Sequence, residues 1–179
     1  MTQSLENIFL LEDSEQFDEA YYAYDNLYNQ NKNDYNVWKH FYFFLWTAIE
    51  EAPSSFHDKI NLRHLLQVMF HEGKKTFADN ADFSFIAGYT VSIFPYEYGD
   101  YNDLEKEGKE LLHKATQMKP DNLIYKMVYW GSISNVDQQQ YRQAEIDAAP
   151  MVLETFNGTG ALNKYFRQVL YRLDKKAYR

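Results

Sequence analysis

The sequence predicts an all-α protein, and three observations carry that prediction. Apolar residues recur at spacings of three and four along most of the chain, the rhythm of a helix face and not of a strand. Polar breaks containing a capping residue separate these stretches. Seven Gly and four Pro in 179 residues are too few for the many tight turns of a sandwich or barrel. Sixteen Tyr, thirteen Phe and three Trp supply a large core, which excludes disorder and suits a single domain over residues 1–179.

The elements follow in order. Phe17, Ala20, Tyr21, Tyr24, Leu27 and Tyr28 define a helix from Ser14 to Lys32, with Ser14 as its N-cap and Glu15, Asp18 and Glu19 in the first turns, where the helix dipole favours acids. Asp34 caps a second helix through about Glu51. Trp38, Phe41, Leu45 and Ala48 form one face of it and Tyr42, Phe43, Phe44 and Trp46 cover the rest, so it should sit centrally. Pro53-Ser54-Ser55 opens a third helix over about Phe56–Phe77, with the stripe Leu62, Leu65, Leu66, Met69, Phe70. Asp82 caps Phe83–Ile93, with Phe85, Ile86, Tyr89 and Ile93 inward. A loop, Phe94–Tyr101, leads to a helix ending near Met118, and a break containing Asp121 precedes Leu123–Ile133. Asp137 caps a helix in which Pro150 should force a kink or break. Asn157-Gly-Thr-Gly160 is a turn, and the last helix runs from Ala161 to about Lys175.

Capped aromatic helices after Asp34, Asp82 and Asp121 repeat at intervals typical of helical solenoids. Gly108, Leu112, Ala115 and Pro120 stand at the offsets of small, aromatic, small and proline residues in a tetratricopeptide repeat; Ala20, Tyr24, Leu27 and Lys32 match the same spacing less faithfully. Trp38, Phe41, Tyr42 and Leu45 then stand where the next repeat's first helix places its signature, and Gly88 where close packing asks for a small residue. The segment Asp103–Tyr125 resembles a tetratricopeptide repeat, and about 100 residues resemble degenerate copies, with Leu112, Leu27 and Tyr42 departing from the preferred types and Phe94–Tyr101 inserted. The resemblance implies antiparallel helix pairs stacked as a short right-handed solenoid of about eight to nine helices, a scaffold for binding proteins.

Charge narrows the function. The net charge is −8, and residues 1–53 hold ten acids against Lys32 and Lys39 alone. Such a surface repels phosphate backbones, so nucleic acid is not an expected partner. Only the tail reverses the sign, through Lys164, Arg167, Arg172, Lys175, Lys176 and Arg179, which suits the negative end of a helix dipole. Without cysteine there are no disulfides or thiolate metal sites, which fits a cytoplasmic protein. No apolar run reaches the roughly 20 residues of a membrane span, and no signal peptide is expected at Met1–Leu11.

No catalytic constellation emerges: the chain has no phosphate loop, nucleophile elbow or metal-ligand spacing, and neither enzyme activity nor a cofactor is expected. His57, His64 and His71 recur every seven residues on the third predicted helix, about 10.5 Å apart, too far for one metal ion, and read as a solvated face. His40 and His113 have no nucleophile motif beside them.

Two clusters suit partner binding. Asp18, Tyr22, Asp25 and Asn29 form a stripe opposite the apolar face of the first predicted helix; a Tyr between acids offers an amphipathic anchor with negative steering. Tyr96, Glu97, Tyr98, Asp100, Tyr101 and Asp103 crowd the inserted loop. The expected function is therefore protein binding. Small acidic, cysteine-free helical proteins resemble bacterial immunity proteins, and that analogy implies an inhibitor that neutralises a cognate basic toxin domain. A general scaffold or adaptor, with a peptide-sized groove, is the alternative.

Overall fold

The structure, a computed structural model, describes residues 4–172, and every regular element among them is helical. The α-helices are α1 (Leu5–Asp13), α2 (Phe17–Gln30), α3 (Tyr35–Glu51), α4 (Ser54–His57), α5 (Leu62–Thr76), α6 (Ala81–Ile93), α7 (Tyr101–Met118), α8 (Leu123–Ser132), α9 (Gln138–Thr155) and α10 (Ala161–Leu170). A 3₁₀ turn at Pro95–Glu97 joins α6 to α7. Among the described residues no helix is long and apolar enough to cross a membrane. The described chain divides into two compact units, residues 4–83 with 159–162 and residues 84–158 with 163–172.

In the first unit α3 is the centre, as its all-round apolar character predicts. Asp34 caps it by accepting from the Asn36 and Val37 amides at 2.8 and 3.3 Å, and every side chain from Phe41 to Ala48 is buried. Helix α2 lies against one side, where Tyr24 stacks on Phe41 at 5.3 Å and 9°. Helix α5 lies on another, where the Trp38 indole N–H donates to the Met69 carbonyl at 3.0 Å. Each fully buried ring of this kind contributes roughly 1.5–3 kcal/mol of hydrophobic stabilisation. Gly73 makes the α5 contact possible: a Cβ there would sit 2.6 Å from ring atoms of both Trp38 and Phe83. His40, buried beside the Phe9 ring at 4.7 Å, is pushed down to about 3, first by loss of water and then by the Lys39 charge, so its imidazole is neutral.

Three boundaries differ from the sequence reading, each for a local reason. Ser14 does not start a helix but ends one. Its amide and hydroxyl both donate back to the Leu10 carbonyl, and Glu15, at φ 54°, turns the chain into α2. Helix α1 before it buries Ile8 and Phe9. The predicted third helix is two: α4 stops after one turn so that Phe56 can pack on Phe17 (5.9 Å) and Tyr21 (6.1 Å), and Asn61 starts α5 afresh by accepting from the His64 amide. His57 and His64 consequently lie on different helices. The cap of α6 is Asn80, which accepts from the Asp82 and Phe83 amides; Asp82 instead receives Tyr35 Oη (3.0 Å) and Lys39 Nζ (3.2 Å).

Glu12 ties this unit to itself over a long sequence distance. The Tyr24 hydroxyl donates to Oε1 at 2.9 Å and the Ala161 amide, the first of α10, donates to Oε2 at 2.8 Å. Gly160, at φ +86°, brings the chain there, and a Cβ on it would meet the Phe9 ring at 2.7 Å.

In the second unit α6 and α7 cross at two glycines. A Cβ on Gly88 would lie 2.8 Å from the Leu112 amide nitrogen and 3.0 Å from the Gly108 carbonyl oxygen. Helix α8 packs on α7 and α9. Phe85 stacks on Tyr125 at 4.7 Å and also meets Phe166 (5.5 Å), which stacks on Phe156 (4.8 Å). Asp137 caps α9 through the Gln140 amide, as predicted, but Asn122 rather than Asp121 caps α8. Pro150 does not break α9, which runs on to Thr155. Ile93, expected inward, is 44% exposed at the end of α6. Residues 157–160 form the predicted turn, and Arg167 donates to the Phe156 and Gly158 carbonyls beside it. Helix α10 ends at Leu170; Lys175, Lys176 and Arg179 of the basic tail lie outside the described residues.

Candidate partner-binding surface

The stripe on α2 is placed by the face opposite to it. Ala20, Ala23, Tyr24 and Tyr28 are buried, which turns Asp18, Tyr22, Asp25 and Asn29 outward on one side of the first unit. Tyr22 is 59% exposed, yet its ring is not loose. Tyr21 meets it edge-on at 5.3 Å and is itself seated on Phe41 and Phe56 at 6.0 and 6.1 Å. Burial, then the Asp25 charge, raises the Tyr21 hydroxyl, so it stays neutral beside the stripe. Asp25 is half-buried and Asn29 exposed.

The surroundings are negative and unbalanced. Residues 4–31 contain no Lys or Arg but seven acids: Glu6, Glu12, Asp13, Glu15, Asp18, Glu19 and Asp25. Glu12 is turned inward to Tyr24 and Ala161. Burial, then the charges of Glu15 and Glu50, raises the Glu51 carboxyl, a sign of carboxylates crowded at that edge. One cation comes from elsewhere in the unit: Lys59, in the turn between α4 and α5, reaches Asp18 at 2.7 Å. The sequence reading missed Lys59 because it ran one helix through this turn. Ile60 and Leu62, two apart and off the helical rhythm, together with Asn61 as a cap, were the signal.

The loop cluster, in the second unit, is divided. Tyr96 and Tyr101 are 51% and 53% exposed, and Asp103 is exposed beside them in sequence. Tyr98 and Glu97 are buried instead, and Asp100 caps α7 by accepting from the Asn102 and Asp103 amides at 3.0 and 3.2 Å. Three of the six residues are thus committed to the fold. The turn itself sorts them: the 3₁₀ turn Pro95–Glu97 buries Pro95 and Glu97, and Tyr98 after it, while Tyr96 is turned outward.

Sequence reasoning also missed a groove between α8 and α9, about 340 Å³, with Leu123, Trp130 and Ala144 as its apolar floor and Lys126, Gln140, Gln143 and Asp147 around it. The regular spacing of these residues on two helices was visible in principle, but their pairing was not. His57, His64 and His71 are exposed, and no group of three or more His, Cys, Asp or Glu among the described residues could hold a metal ion.

Compared with protein-family models, with known proteins and with solved structures, the chain finds no match.

Proposed function

We propose that the protein is a protein-binding module whose acidic N-terminal helix pair docks on a basic partner, and that it acts as an immunity protein neutralising a cognate basic toxin domain. The observation that carries this reading is the exposure of Tyr22 between Asp18 and Asp25 on a 28-residue stretch, residues 4–31, without a single Lys or Arg. An oriented aromatic ring supplies contact area at low entropic cost, and unbalanced charge speeds encounter with a cationic surface. The helix pairs are read as tetratricopeptide-like; the glycine crossing of α6 and α7 supports that kind of close pairing. Toxins acting on nucleic acids or nucleotides are cationic because their substrates are anionic, and the cytoplasm is where such an inhibitor would be needed. Catalysis has no part in this reading.

The test is co-purification with the product of the adjacent gene, followed by association kinetics at low and high salt. Contacts between exposed charges weaken as the Debye length falls from about 10 Å at 0.1 M to about 3 Å at 1 M. Reversing Asp18, Asp25 and Asp103 to Lys should slow association more than it speeds dissociation, while Tyr22→Ala should raise the dissociation rate. Binding insensitive to salt and to these changes refutes the reading.

The groove between α8 and α9 favours a second reading, a scaffold for a peptide, since its 340 Å³ is the size of one or two apolar side chains with polar groups at the rim. Salt-tolerant binding lost with Trp130→Ala would favour it.

A further inference from the structure

Resting on the reading of α2 as a docking face, we infer that the Asp18–Tyr22–Asp25 stripe is a receptor for a guanidinium group of the partner, and that Lys59 is an internal competitor occupying it. The three residues lie four and three positions apart on one face of α2, so along the helix axis the Cα of Tyr22 falls between those of Asp18 and Asp25, about 6 Å from the first and about 4.5 Å from the second at 1.5 Å per residue. That arrangement matches arginine: the planar cation can lie over an aromatic face within about 6 Å of its centre while its fork of N–H groups reaches carboxylate oxygens. Tyr22 is held for the purpose by the edge of Tyr21.

A cation already sits there. Lys59 Nζ is 2.7 Å from Asp18 Oδ2, with the two side chains 52% and 38% exposed. Its ammonium is held charged first by the hydrogen bond to Asp18, against a smaller opposing effect of burial, and then by the charges of Asp18, Tyr22 and Glu19, whereas Asp25 has no part in holding it. The other Asp18 oxygen, Oδ1, is buried and makes no hydrogen bond, which leaves Oδ2 as the single oxygen Asp18 offers outward. A partner cation must share or displace the Lys59 contact. Displacement is easy, because an exposed point-charge pair contributes little. A guanidinium engaging Tyr22 and Asp25 as well makes contacts Lys59 does not replace.

The consequence is counterintuitive: removing Lys59 should tighten binding. The probes are fluorescein-labelled hexa-arginine and hexa-lysine peptides, read by anisotropy at low salt against the full chain. Lys59→Met should bind hexa-arginine about 3- to 10-fold more tightly than wild type. Lys75→Met, which removes the same charge from an exposed residue of α5, should change affinity less than 2-fold, and Lys59→Arg, an internal guanidinium, should weaken binding. Asp25→Asn should weaken binding, and Tyr22→Leu should abolish the preference for arginine over lysine. Thermal melts of every variant report whether the fold is retained. If Lys59→Met binds no more tightly than Lys75→Met, Lys59 is a staple between α2 and the α4–α5 turn and the inference fails. Absence of peptide binding by wild type and Lys59→Met alike also overturns it. In either case salt-sensitive binding to the adjacent gene product would leave the docking reading standing, whereas loss of that too would remove both.

Discussion

Gly88→Ala adds one methyl group where α6 crosses α7, and its cost can be worked from the contacts that methyl would meet. The new carbon would lie 2.8 Å from the Leu112 amide nitrogen and 3.0 Å from both the Gly108 carbonyl oxygen and the Leu111 Cβ. Two of these are backbone atoms of a regular helix, which cannot swing aside as a side-chain tip can. Relief requires the helices to separate by several tenths of an ångström, loosening contacts along the crossing. Overpacking of this kind costs about 1–3 kcal/mol. Ala is the better helix former by about 0.8–1.0 kcal/mol, which offsets part of the loss. The net is a destabilisation of up to about 2 kcal/mol, and at about 2–4 °C per kcal/mol for a chain of this size the melting temperature should fall by up to about 8 °C. Gly131→Ala is the matched control. Its new methyl would meet the Tyr141 hydroxyl at 2.8 Å, the far end of a side chain that can rotate away, so it should melt at or above wild type. Calorimetry on both variants decides the matter. A Gly88→Ala protein as stable as Gly131→Ala would mean that α6 and α7 do not approach at these glycines.

Three further predictions follow from buried groups. His40 has a folded-state pKa of about 3 against 6.5 when unfolded, so its contribution is complete above pH 6.5 and declines as pH falls toward 3, by up to about 1.4 kcal/mol per pH unit. Denaturant titrations of wild type and His40→Gln should therefore converge on acidification; a constant gap would mean that His40 is not held neutral. Glu12→Ala removes the acceptor of the Tyr24 hydroxyl and of the first amide of α10, and should cost about 2–3 kcal/mol, checked by urea unfolding. Tyr98→Ala, at a buried ring, should cost about 3–5 kcal/mol of stability, the range for a buried aromatic in a core, while leaving the dissociation rate of any partner unchanged at a temperature where the variant is folded.

The helices were legible because their signals are local. The rhythm of Phe17, Ala20, Tyr24 and Tyr28 and the unbroken apolar run of α3 place these helices, and the latter's centrality, without knowledge of any neighbour. What was not legible depends on contacts far along the chain. Helix α1 is short, and its role emerges only when Phe9 meets His40 and Gly160 and Glu12 reaches Ala161. The break before α5 is governed by the pull of Phe56 toward Phe17 and Tyr21, about forty residues earlier. Capping was misassigned where two polar candidates stand one or two positions apart: Asn80 rather than Asp82, and Asn122 rather than Asp121, because only the residue just outside the first turn can fold its oxygen back onto the amides. On the surface, the α2 stripe could be read from its spacing, whereas the split fate of Tyr96, Tyr98 and Tyr101 is a property of the turn between α6 and α7.

The burial of α3 has a bearing on how this protein can change over generations. Between Phe41 and Ala48 every side chain of this helix contributes to the interior, and outward residues are left only toward its ends, at Asn36, Glu50 and Glu51. Helix α2, laid against it, has two faces under different pressures: Ala20, Ala23, Tyr24 and Tyr28 answer to the interior, and Asp18, Tyr22, Asp25 and Asn29 answer to whatever the protein meets. Substitutions on the outer row leave the inner row undisturbed, so that surface can drift while the scaffold stays still. If the proposed docking face is the one in use, descendants of this chain should differ first on that outer row and on Lys59, and should keep the aromatic interior beneath it.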